Sequence, residues 1–158
     1  MRCRSTVVAL MLALPATLAA AQPTRARIAV SLEARTEGRP EPDATAAEIL
    51  ANVRKALAAI DDVEIVPREG SRRAIWIIVG ATPGATAASV IVTERYDRET
   101  LMVLGIEDDD MAFRMMALQI VADHQIFTGR DAAEVAARIA AALNAGVFAK
   151  LRALPPRP

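Results

Sequence analysis

A chain of 158 residues carrying 19 basic and 19 acidic side chains has no electrostatic reason to seek nucleic acid or to coat an anionic membrane. Its single cysteine excludes an intramolecular disulfide, so stability must come from a packed core, which a chain of this length can build. Lys55 and Lys150 are the only lysines, and with so much alanine this arginine bias fits a GC-rich bacterial genome.

Residues 1–21 read as a secretory signal peptide. Arg2 and Arg4 form a basic start, Val7 to Leu14 an uncharged apolar run, and Pro15 breaks that run before Ala19-Ala20-Ala21. Cleavage after Ala21 leaves Gln22 first. The apolar run falls short of the roughly 20 residues that span a bilayer, which argues against a membrane anchor. Cys3 would leave with the signal, and no small-residue lipidation box precedes it. Losing Arg2 and Arg4 brings the mature chain to a formal balance of −2. A periplasmic or secreted location is expected, with no membrane span after cleavage.

Residues 22–154 read as one domain. After a short polar leader, Ile28, Val30 and Leu32 alternate with polar or small residues, the period of a half-buried strand. Pro40 and Pro42 stop it. A helix starts near Asp43 or Thr45, where Thr45-Ala46-Ala47-Glu48 fits a capping box, and Ile49, Leu50, Val53, Leu57 and Ile60 share one face. Val63 to Val66 forms a second strand, so strand, helix and strand suggest a right-handed crossover. Ala74 to Val79 is apolar at every position and predicts a central strand covered on both faces, with Trp76 as a core anchor. A turn over residues 80–84 leads to a hairpin partner at Val90 to Val92, and Leu101 to Ile106 reads as a further strand.

Glu107 to Asp110 then opens a helix running from Met111 to Ala122, with carboxylates at the positive end of the helix dipole. Asp123 to Phe127 either finishes that helix or forms a short strand. A last helix spans about Ala132 to Leu151, capped by Asp131 with Glu134 and stacking Val135, Ile139, Leu143 and Val147. Residues 155–158 form a short tail. The order β-α-β-β-β-α-α predicts an α+β domain with a mixed, mainly antiparallel sheet of about five strands and helices mostly on one face.

The candidate chemistry is sparse. His124 is the only histidine, so any Ser-His-Asp hydrolase must use it, yet no serine sits in a Gly-x-Ser-x-Gly elbow. Asp108 and Asp110 belong to an acidic run that lacks the spacing and central glycine of a calcium loop. Met111, Met115 and Met116 offer soft thioethers suited to Cu(I), although methionine among aliphatic residues also serves as core filler. Gly80 to Gly84 lacks the Gly-Lys-Ser/Thr ending of a phosphate loop, and Trp76 and Tyr96 have no aromatic neighbour for stacking sugars. No cofactor is implied.

A helix over Met111 to Val121 that is apolar nearly all round needs cover on several sides. The expected function is therefore that of an exported bacterial envelope protein acting as a non-catalytic binding module. Its partner would be a second copy or another envelope protein, met through that helix. The alternatives are a small hydrolase using His124, or a carrier of a small apolar ligand in a pocket lined by Trp76, Ile77 and Met115.

Overall fold

The computed structural model describes residues 27–154 apart from Pro40 and Pro83; the expected signal peptide at 1–21 and tail at 155–158 lie outside these residues. Strand β1 (Ile28–Thr36) buries Ile28, Val30, Leu32 and Ala34 on one side, as its alternation requires. Helix α1 (Ala44–Ala58) follows. Its cap is Asp43, whose Oδ1 accepts from the Ala46 N–H at 2.9 Å while its own N–H donates to Thr36 Oγ1 at 2.8 Å. Thr45 therefore lies inside the first turn and does not form the capping box expected of it. Ala46, Ile49, Val53 and Leu57 make the fully buried stripe of α1. The chain returns as β2 (Val63–Ile65), parallel to β1.

Strands β3 (Arg73–Thr82) and β4 (Ala85–Glu94) form an antiparallel hairpin whose turn uses Gly84 at φ +73°, a conformation that side chains with a Cβ disfavour. Because β3 also runs parallel to β1, the sheet is mixed. With β5 (Ile120–Gly129) antiparallel to β4, its order is β2-β1-β3-β4-β5. The two antiparallel ladders are the longer ones, and the domain is an α+β fold around one five-stranded sheet.

The strand count matches expectation, but its fifth member does not. Leu101 to Ile106 is no strand: helix α2 (Arg98–Val103) occupies it. Asp97 caps α2 by accepting the Thr100 N–H at 2.7 Å, and Gly105 at φ +77° lets the chain leave it. The expected helix to Ala122 also stops early. Helix α3 (Asp109–Ala117) ends at Leu118, which is already extended, and β5 begins two residues later. β4 explains this outcome. It carries buried Ala88, Val90 and Val92, and its outer edge would be left unpaired, so Ile120 to Gly129 is drawn in as its ladder partner. The new edge is itself blunted: Arg138 donates to the Thr128 carbonyl, Asp123 Oδ1 accepts the His124 N–H at 2.9 Å, and the β4/β5 ladder slips between Val92 and Thr93.

One face of the sheet carries the main core. Helix α1 and helix α4 (Ala132–Ala142) pack there side by side, over Val30, Ile75, Ile77 and Val90. The opposite face lacks a full second layer. Trp76 and Ile78 lie on it, both half-buried, so β3 is not covered on both sides and Trp76 is not a core anchor. The last helix also departs from its expected stripe. Between α4 and helix α5 (Ala149–Ala153) the backbone takes a π turn over Leu143–Phe148, within a continuous helical run of 22 residues. Val135, Ile139 and Leu143 are buried as predicted, but the wide turn brings Phe148 into the core and leaves Val147 half-buried. By length and composition alone this run could span a bilayer; here its buried stripe sits on the sheet.

Candidate functional site

The β4–β5 connection is where apolar side chains fail to find cover. Residues 95–119 leave the sheet as an excursion carrying α2 and α3. Arg72 pairs with Asp97 at its base, which fixes the α2 cap. The Arg98 guanidinium donates to the Glu107 carbonyl at 3.2 Å and to Asp109 Oδ1 at 2.6 Å, clamping the two helices. Asp108 caps α3 through the Met111 N–H at 2.7 Å. Leu101 and Ala112 are buried, yet neither belongs to the main core cluster.

Much of the rest of the excursion is exposed. Met102, Leu104, Met111 and Leu118 are all exposed, and Val103 and Phe113 reach 83% and 72% exposure. Ile120 and Val121, at the start of β5, are exposed as well. Singly exposed apolar residues are ordinary, but this many large ones within twenty positions are not. All four methionines of the described residues, Met102, Met111, Met115 and Met116, lie in this stretch. Acidic side chains are interleaved with them: Glu99, Glu107, Asp108 and Asp110 are exposed.

The candidate metal ligands differ in their surroundings. Met111 is exposed while Met115 and Met116 are half-buried; Asp108 is engaged as a helix cap, and Asp110 faces solvent. Among the described residues, no group of three or more histidine, cysteine or acidic side chains is placed to hold a metal ion. A groove of about 210 Å³ lies between Glu69-Gly70-Ser71-Arg72 and Arg95, Tyr96 and Met116. The Arg95 guanidinium is committed to its wall, donating to the Arg68 and Ser71 carbonyls at 2.6 and 3.0 Å.

On the less covered sheet face, ladder register places Glu33, Trp76, Ile91 and His124 in one row and Arg35, Ile78, Ser89 and Ile126 in the next. The Arg35 and Arg68 guanidinium carbons sit 4.7 and 5.0 Å from the Trp76 ring centroid, and the indole N–H donates to Thr93 Oγ1 at 3.3 Å. The tryptophan is thus already occupied by cations of its own chain. Trp76 and Ile77 face opposite sides of the sheet, so no single pocket is lined by both. Tyr96 lines the groove and Trp76 does not.

His124 has a partner that its sequence neighbourhood did not reveal. Ser89 Oγ and His124 Nε2 share a hydrogen bond of 2.8 Å across the β4/β5 ladder, on the exposed face. Asp123 points the other way, accepting from Gln125 Nε2 at 2.7 Å. Among the described residues no carboxylate is hydrogen-bonded to the imidazole, so the pair lacks the orienting group of a triad. The alternation of Asp123, Gln125 and Phe127 against His124 and Ile126 was the signal that this segment is a strand, and hence that His124 stands beside β4.

Comparison of the chain with known protein families, curated proteins and solved structures finds no match, which leaves geometry and chemistry as the guides to function.

Proposed function

We propose that this protein is an exported bacterial envelope protein that works as a non-catalytic binding module, with the excursion between β4 and β5 as its contact surface. One observation carries the reading: large apolar side chains from Met102 to Val121 stand in solvent on an element anchored by caps and ion pairs rather than by core packing. Surface of this kind gains free energy when a partner covers it, at about 25 cal/mol for each Å² of apolar area removed from water. The signal-like residues 1–21 support export. The contact does not depend on an unbroken helix through Val121, because α3 and the start of β5 together present the apolar side chains.

A photo-crosslinking residue at Phe113, in the full chain expressed in its own cells, tests the contact, with Lys55 on α1 as the control site. A discrete protein adduct from position 113 alone is expected. Adducts of equal yield from both positions, or from neither, would overturn the reading. Sequencing the N-terminus of the exported protein tests the export half: Gln22 is expected, and an intact Met1 in the envelope fraction refutes cleavage.

The Ser89–His124 hydrogen bond favours a second reading, a small hydrolase with Ser89 as nucleophile. A fluorophosphonate that labels the parent protein but not a Ser89→Ala variant would establish it, and absence of labelling removes it.

A further inference from the structure

We infer that the occupant of this surface is a basic amphipathic helical segment of a partner protein. The inference rests on the contact surface proposed above and adds the chemistry of what covers it. Chain connectivity fixes how charge and apolar area adjoin. Val103 and Leu104 are followed within a few residues by Glu107 to Asp110, and these in turn by Met111 and Phe113, so the carboxylates sit between two exposed apolar groups.

Not all of that charge is neutralised among the described residues. Asp97 is paired with Arg72 and Asp109 with Arg98. Glu99, Glu107 and Asp110 are exposed and form no ion pair among the described residues, and Arg114 is the one exposed cation on α3. A protein with 19 charges of each sign overall therefore concentrates negative charge around its most apolar exposed stretch. An acidic or neutral partner would bury these carboxylates against like charge or against nothing, which penalises the wrong partner more than it rewards the right one. The same charge disfavours an anionic membrane surface.

The methionines supply the other half of the match. An unbranched thioether adapts its rotamers to the partner, and a surface combining methionine with carboxylates suits the apolar face and lysine- or arginine-rich flanks of an amphipathic helix. Here Met102 and Met111 are exposed on the two helices of the excursion, as are Val103 and Phe113.

The test uses the exported protein and three probes: a fluorescent 18-residue leucine/lysine amphipathic peptide, its leucine/glutamate counterpart, and vesicles of anionic phospholipid. Anisotropy titration at low salt is expected to favour the cationic peptide at least tenfold over the anionic one, with affinity falling as salt rises. A Glu99→Gln/Glu107→Gln/Asp110→Asn variant should erase that preference. Phe113→Ser should weaken binding of the cationic peptide, and a distant control, Glu48→Gln/Glu64→Gln, should leave it unchanged. Equal binding of both peptides, an equal loss in the distant control, or binding to vesicles in place of the peptide would each overturn the inference. If neither peptide binds while Phe113 still cross-links in cells, the charge assignment fails and the contact surface stands. If neither peptide binds and no cross-link forms, both fail.

Discussion

Replacing Phe148 with alanine tests the π turn, because that turn alone decides which side chain of the last helix fills the core. Phe148 is fully buried, whereas Val147, which a continuous α-helix from Leu143 would turn inward, is only half-buried. A buried phenylalanine removes about 150–250 Å² from water, worth ~4–6 kcal/mol at 25 cal/mol per Å². Truncation to alanine in a core that relaxes only in part costs about 3–5 kcal/mol. For a domain spanning residues 27–154 the unfolding entropy is about 0.27 kcal/mol/K, so the melting temperature should fall by ~11–19 °C. Phe113→Ala is the matched control: the same chemistry at a site 72% exposed should change stability by less than about 0.5 kcal/mol, or ~2 °C. Thermal denaturation followed by circular dichroism reads all three variants. Val147→Ala should fall between the two phenylalanine variants. A drop of under about 4 °C for Phe148→Ala, or a larger loss for Val147→Ala, would refute the placement of Phe148 in the core.

Deleting Ala145 shortens the step from Leu143 to the core phenylalanine from five residues to four, the α-helical spacing, so the deletion should be tolerated with a cooperative melt. Deleting Ala137 instead rotates everything after it by about 100° and should abolish cooperative unfolding in the same assay. Gly129→Ala places a Cβ 2.9 Å from Val135 Cγ2 and 3.3 Å from the Val135 backbone nitrogen, so the strand-to-helix turn must shift. A loss of about 1–3 kcal/mol in urea unfolding is expected, and an unchanged midpoint would contradict the close approach. The Glu134 carboxyl is held below its usual range, first by the Arg130 backbone N–H and then by the Arg130 side chain. A lowered folded-state pKa stabilises above the unfolded carboxylate pKa and is lost as pH falls through the folded value. The stability difference between parent and Glu134→Gln should therefore shrink as pH is lowered from 6 to 3 in urea melts, and a difference that grows would refute the sign.

The candidate site was legible only in part. An apolar excess around Met111 to Val121 is written in composition, and so is the pairing of carboxylates with the start of a helix, since Asp108 caps α3 and Asp109 and Asp110 lie in its first turn. Where the excess ends up was not. Asp97 and Gly105 bracket α2 as cap and terminator, but Leu101 to Ile106 is also a plausible strand on hydrophobicity alone, and the caps were the better guide. Ser89 and His124 are 35 residues apart, and only the β4/β5 register brings them within hydrogen-bond distance.

By itself the sequence determined the elements whose faces are set by local periodicity: the alternation of β1, the stripe of α1, the β3–β4 hairpin around its glycine turn, and the first three core positions of the last helix. Those patterns hold because a side chain's direction on a helix or strand follows from residue spacing, whatever the neighbours are. Tertiary structure alone decided the rest. The end of α3 at Ala117 and the pairing of β5 answered the need of β4 for a second ladder partner, Trp76 faced outward because the helices cover only one side of the sheet, and a π turn moved Phe148 into the place periodicity gave to Val147. Each of these outcomes depends on groups distant in sequence that must be hydrogen-bonded or buried, and no local window contains them.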